Sequence, residues 1–179
     1  MNIFVLDLDP MLAARYQCDK HVVKMTTETT QMLCTIANKL GYETPYKNAH
    51  PSHPATRWVG QSRQNFSWTW WHGLHLSYEY TYRYRRIHKC HSIILSLMNV
   101  SFELPNIGFT RRPLCMPLDL HTKDVVASYR MFYLHDKRRF AKWNNRRKPP
   151  LWWTESIKIH GQPEWWKEVY EPISGSKTV

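Results

Sequence analysis

Between about Leu12 and Leu40, small and apolar residues recur at three- and four-residue steps through Val22, Met25, Thr29, Leu33 and Ile36. That period gathers them on one face of an α-helix but scatters them over both faces of a strand, so the segment buries a continuous stripe only as a helix. Gly41 supplies the stop. Residues 42–54, with three prolines and many polar side chains, read as a loop. A long helix is expected from about Ala55 to Met98, with Ser52 as its N-cap, Pro54 tolerated in its first turn, and His88 as its candidate break. Residues 99–118 hold Pro105, Gly108, Pro113 and Pro117 and form a second loop, and a third helix should cover Thr122 to Trp143. From Asn144 the tail is basic and Pro-rich, then aromatic, with a short helix expected near Pro163–Tyr170. Residues 2–6 are either one strand or an extended lead-in, stopped by the DLDP that follows. The expectation is an all-α fold over residues 1–179: a compact single domain of about three long helices, long Pro-rich loops and little or no sheet.

Charge narrows the partners. Lys and Arg number 25 against 14 Asp and Glu, a formal charge of +11. Like charge on that scale opposes folding, which points to a polyanionic partner, with double-stranded DNA expected. No basic amphipathic segment, lipidation motif or apolar run near the ~18 residues of a membrane span competes with that reading. The N-terminus carries Asp7 and Asp9 where a secretory signal would carry Lys or Arg. Cytoplasmic residence is therefore expected, and Cys18, Cys34, Cys90 and Cys115, which include no CxxC pair, are expected to be free thiols.

Three constellations could carry function. On the first helix His21, Lys24, Glu28 and Gln31 fall in one stripe bordering the apolar face. A carboxylate beside a Lys and a His can serve acid–base chemistry. The same stripe also reads as a solvated face whose Lys24–Glu28 pair has the weaker i,i+4 orientation, and the residues leave both open. On the second helix Asn65, His72, Glu79 and Arg86 repeat every seven residues. Around them lie Trp58, Trp68, Trp70, Trp71, Tyr78, Tyr80, Tyr82 and Tyr84, with Arg83, Arg85 and Arg86 near the end. Such aromatics stack on bases or simply fill a core, while clustered arginines neutralise phosphates. The third set is Arg111 and Arg112 in the Pro-rich loop, then Lys137, Arg138, Arg139, Lys142, Arg146, Arg147 and Lys148, read as phosphate contacts rather than a plain solvated face. Cys18 with His21, His50 with His53, His72 with His75 and the HKCH run at 88–91 offer ligand types but no complete four-ligand set, so neither metal nor cofactor is expected. A serine-nucleophile motif and a phosphate-cradling glycine loop are absent from the sequence.

The segments DKHVVKM followed by Glu28, the HP-rich loop before Trp58 and the EYTYRY run together resemble a family of phage-encoded helical proteins. More remotely, the chain is similar to the pyrimidine-dimer DNA glycosylases of the phage endonuclease V type. Asp19-x-His21 followed by Glu28 has that family's spacing on the first long helix, whereas Thr27 and Gln31 stand where the family tends to place arginines. The resemblance implies a small basic helical enzyme, working in a phage-infected host cell or on its nucleoid. In it the α-amine of Met1 would attack the sugar C1′, Glu28 would assist and His21 would line the site. Trp152 and Trp153 would contact the lesion. An α-amine with a pKa near ~8 keeps a neutral fraction at physiological pH, as a nucleophile needs. The expected function is a DNA glycosylase, with or without AP lyase activity, acting on a flipped or kinked base pair. The alternatives are a base-hypermodification transferase acting on modified thymine, or a non-catalytic nucleic-acid-binding or anti-defence protein. An enzyme would bury Lys24, Gln31, Asn65, His72 and Glu79 with Glu28 in one pocket; a pure binder would scatter them over the surface.

Overall fold

The computed structural model describes residues 1–159. Asp9 starts the first helix: its carboxylate accepts from Met11 N at 2.7 Å and Leu12 N at 3.3 Å, and Pro10 supplies a first-turn φ. This helix, α1 (Pro10–Tyr16), leads directly into α2 (Asp19–Lys39), whose inward face carries Val22, Met25, Thr29, Leu33 and Ile36, as the period requires. The buried threonines of α2 differ. Thr26 and Thr30 donate their hydroxyls to the carbonyls of Val22 and Thr26 at 2.6 and 2.7 Å, so each is buried with its hydrogen bond made, whereas the Thr29 hydroxyl is buried without a partner among the described residues.

The single helix expected from Ala55 to Met98 is three helices: α3 (Pro54–Val59), α4 (Arg63–Tyr84) and α5 (His91–Ser96). The first break lies where α3 meets α2. A Cβ on Gly60 would sit 2.7 Å from Ile36 Cδ1, a side-chain end that would have to move aside, so glycine eases the approach, and Ser62 then caps α4 by accepting from Asn65 N. The cap of α3 is His53, whose Nδ1 accepts from Ala55 N, and not Ser52. At the other end Arg85 takes a left-handed φ of 57° and stops α4, which leaves the expected break around His88. The helix expected over Thr122–Trp143 is shorter than its pattern: α6 (Val125–Phe132), capped by Asp124, passes into a π-turn at Tyr133–Lys137 and unwinds. The Pro-rich tail instead begins a helix, α7 (Leu151–Ile159). The short helix expected near Pro163–Tyr170 lies outside the described residues.

The fold is all-α, with no strand among the described residues. Helices α2 and α4 form its central pair, crossing closely where a Cβ on Gly73 would meet Thr29 Cγ2 at 2.9 Å, and α1 packs along α4. The NIFVL segment is the extended lead-in, not a strand: Ile3, Phe4, Val5 and Leu6 thread the core, each at most 4% exposed. One apolar cluster runs from Ile3 to Trp153. The four cysteines are free, and no helix among the described residues is long and apolar enough to cross a membrane.

A buried guanidinium joins the helices. Arg83 donates to Glu79 Oε2 (3.1 Å), Asp19 Oδ1 (3.0 Å), and the carbonyls of Gln17 (2.8 Å) and Arg15 (2.9 Å). Those carbonyls are among the ones that the end of α1 leaves without helical donors. Asp19 Oδ2 in turn accepts from Asn144 N, Asn145 N and Asn145 Nδ2, and Glu79 takes a two-pronged bond from Arg147. Replacing Arg83 by Met should lower the unfolding free energy by about 3–5 kcal/mol in urea titrations, since two buried carboxylates lose their partner. Arg85→Ala and Arg86→Ala, at exposed positions, should change it by less than about 0.5 kcal/mol.

Candidate functional site

The lead-in ends its path through the core at the middle of α2. There the α-amine of Met1 lies 3.7 Å from Glu28 Oε2; the Met1 side chain is buried at 2% exposure and that of Glu28 is 15% exposed, while Met1 as a whole is half-buried, its open surface lying on the backbone end. Asn2 N donates to the same oxygen at 3.1 Å, and Lys24, one turn back, places its ammonium 3.2 Å from Oε1. Glu28 therefore has one oxygen on the chain start and the other on a lysine that is 66% exposed.

The chain start is held from its far side. Asn2 Nδ2 donates to the Cys115 carbonyl at 2.9 Å, and its Oδ1 accepts from Ile3 N and from the Tyr129 hydroxyl at 3.1 Å. Tyr129 also donates towards the Pro113 carbonyl, tying the 111–117 loop to α6 behind the amine. His53 faces the same charges. Its pKa is lowered by burial first, then by the Met1 ammonium and His50, with Glu28 opposing. The chain-start amine, a carboxylate, an exposed ammonium and an imidazole biased to its neutral form thus meet where the lead-in, α2, the HP-rich loop and the 111–117 loop converge. Asn2, His53, Cys115 and Tyr129 were not singled out as site residues from the sequence. Their positions are set by four segments that meet only in the fold.

The remaining pocket expectations do not gather here. Gln31 lies a turn beyond Glu28, half-buried. His21 is two turns back, roughly 10 Å along the helix. Its ring stacks on Phe4 with centroids 4.5 Å apart and its Nδ1 bonds the Tyr133 hydroxyl, so it is a core residue and does not line the amine site. Burial first, then Lys137, Lys24 and Lys20, press its pKa down to about 3. Asn65 is fully buried and serves structure: its Nδ2 donates to the Trp58 carbonyl and Thr110 Oγ1, and its Oδ1 accepts from Thr110 N. His72, also fully buried and with a pKa lowered to about 3 chiefly by burial, accepts from the Gln17 amide at 3.0 Å. Glu79 belongs to the Arg83 knot. The heptad stripe is a buried polar seam on α4 rather than a cleft wall.

The basic residues divide as well. Arg83 has no exposed side-chain surface and all three of its nitrogens donate inside the protein, so the phosphate contact expected of it has no room. Arg85, Arg86, Arg111, Arg139 and Arg146 are exposed, whereas Arg138 is only 5% exposed. Arg112 lies over the rings of Trp68, Phe109 and Trp58 at 4.5, 5.3 and 5.5 Å. Of the aromatics, Trp58, Trp68 and Trp70 are core, while Trp71, Tyr78 and Tyr82 are 42–48% exposed along one side of α4. Trp153 is buried against Trp143, and Trp152 is half-buried at the rim of a second feature.

That feature is a cleft of about 670 Å³ between the end of α1 and the start of α7, lined by Arg15, Tyr16, Arg130, Arg146, Arg147, Lys148 and Trp152 among others. Arg146, Arg147, Lys148 and Trp152 were expected to be functional, whereas Arg15, Tyr16 and Arg130 come from distant segments that no local pattern links. Among the described residues, no group of three or more His, Cys, Asp or Glu side chains is placed to hold a metal ion. Compared with family models, curated proteins and solved structures, the chain gives no match.

The two depressed histidines make stability pH-dependent. The folded protein keeps His21 and His72 neutral down to about pH 3, whereas the unfolded chain protonates them near the usual 6.5. The unfolded state thus binds more protons between those values, and stability is full above pH 6.5 and lost as the pH falls. Urea midpoints should decline from pH 7 to 4.5, and His72→Gln should flatten the decline by about one proton's worth, ~1.4 kcal/mol per pH unit.

Proposed function

We propose that the protein is a DNA base-acting enzyme of the glycosylase type, in which the Met1 α-amine is the nucleophile and Glu28 its proton partner. The observation that carries this reading is the 3.7 Å approach of the half-buried chain-start amine to Glu28 Oε2. An ion pair between groups 27 positions apart must repay the desolvation of its charges, so stability alone is a weak reason for it.

The chemistry follows from the contacts. Glu28 accepts a proton from the ammonium, and the freed lone pair forms a bond to C1′ of a deoxynucleotide drawn into the corner. The glycosidic bond breaks with its electron pair going to the base. The new secondary ammonium gives one proton to the departing base. Protonated Glu28 then gives its proton to the sugar ring oxygen as the C1′–O4′ bond breaks and the nitrogen lone pair closes an iminium to C1′. Lys24, beside Oε1, steadies the carboxylate and brings positive charge towards the strand. The net charge of +11 supports duplex DNA as the partner. A duplex hides C1′ beneath the stacked bases, so the reading requires a flipped or kinked nucleotide.

The test is borohydride trapping. The chain, with its α-amine free, is mixed with duplexes carrying a cyclobutane dimer, uracil or an abasic site, reduced, and mapped by mass. A base-dependent adduct on Met1, reduced at least about 100-fold by Glu28→Gln, is expected. Tight, salt-sensitive duplex binding with no adduct would sink the reading in favour of base modification or binding without chemistry. So would trapping that Glu28→Gln leaves intact.

A further inference from the structure

The cleft between α1 and α7 has a charge that its own surroundings do not answer. No acidic residue lines it. Arg130 is held by the Leu6 carbonyl and by Asp7 at 3.3 Å, and Arg147 by Glu79, but Arg15, Arg146 and Lys148 make no ion pair among the described residues. In the first turn of α7, Trp153 N donates to the Pro150 carbonyl, which leaves the N–H groups of Leu151 and Trp152, both lining the wall, without a helical acceptor at the same edge. Arg146, one of three non-glycine residues with positive φ among the described residues, at 62°, is held between Asn144 and Asn145 on Asp19 and Arg147 on Glu79.

The aromatic walls say which part of a nucleic acid would fit. The rings of Tyr16 and Trp152 meet edge to face at 77°, and the Arg130 guanidinium already covers both, 5.9 and 5.4 Å from their centroids. The two rings offer no parallel pair of faces for a base, while three cations with no ion pair among the described residues remain for phosphates. The cleft is also tied to the amine corner. Arg130 donates to the Leu6 carbonyl, and from Leu6 the lead-in runs back to Met1, five residues that span at most about 18 Å.

We infer that this cleft seats the sugar–phosphate backbone of a DNA strand, through about three phosphates and without reading bases, on the same duplex that presents a nucleotide to Met1 and Glu28. The second half of the inference rests on the proposed function; the phosphate seat does not. The site supplies position and register while the amine corner supplies chemistry.

Two measurements test it. Duplex affinity is measured against salt for the wild-type chain, for Arg15→Ser with Lys148→Ser (both exposed side chains), and for Lys39→Ser, exposed at the far end of α2. The double variant should give a salt slope shallower by about two and affinity at least tenfold weaker near physiological salt, while Lys39→Ser keeps the wild-type slope. Uncharged methylphosphonates placed one at a time along an abasic-site duplex should weaken wild-type binding over one stretch of positions beside that site, and the double variant should be indifferent to them. An unchanged slope in the double variant would overturn the phosphate seat, even if trapping at Met1 succeeds. A reduced slope with no trapping on any duplex would keep the seat and sink the glycosylase reading. Displacement of tripolyphosphate from the cleft by mutation, with duplex slopes unaltered, would make it a site for a small polyanion and overturn the inference.

Discussion

Arg83 is a cation without water, and the chain supplies its shell from three directions. The end of α1 gives two carbonyls, the start of α2 gives Asp19, and α4 itself gives Glu79 one turn back. A guanidinium in that setting tolerates little displacement of any partner, because each lost bond leaves charge in a medium that cannot screen it. The angle between α1 and α2 is therefore set by the reach of one side chain. The remaining oxygens of Asp19 and Glu79 pass the constraint on to residues 144–147, which form the floor of the cleft. The basic cleft is positioned by acids that do not line it.

The amine corner depends on a different device. Helices alone would give the start of the chain no reason to enter the core. Four consecutive apolar residues do, and burying them fixes the depth at which Met1 emerges beside Glu28. Leucine, valine, phenylalanine and isoleucine side chains of that kind are each worth about 1.5–3 kcal/mol when removed from water, enough to hold an extended segment that has no sheet partner. Its polar groups find side chains instead: Asn2, Glu28, Arg130 and Trp68 each bond part of the lead-in. Phe4 stacks on His21, so the stripe residue nearest to Glu28 in the family pattern holds the strap in place rather than facing the corner.

Much of this was legible in the sequence, and the failures have physical causes. The buried face of α2 follows a single unbroken period, so it read correctly, and with it the all-α class. The break at Gly60 was invisible because it falls where α3 meets Ile36 of another helix, a contact no local pattern shows. The Pro-rich start of the tail carries no helical period, yet α7 begins directly after Pro150, with Trp153 packed on Trp143. Arg83, Arg85 and Arg86 look alike in a list of basic residues. The distinguishing mark was present, since Glu79 precedes Arg83 by four, the favourable orientation for an ion pair. Lys24 and Glu28 followed the bland reading as well as the functional one, being both an i,i+4 pair and part of the corner. Nothing local in the sequence links Arg15, Arg130 and Lys148.

The partners of Asp19 and Glu79 lie more than sixty residues further along the chain, at Asn144 to Arg147, which has a consequence for synthesis. As a chain is made from its N-terminus, α1, α2 and α4 can assemble while the last segment is still missing, with one oxygen of each carboxylate answered only by water. Residues 144–147 thus dock late, together with α7, and close loops whose entropy the earlier helices cannot offset in advance. A chain cut before Asn144 would keep Arg83 between Asp19 and Glu79 and leave the second oxygen of each acid to the solvent.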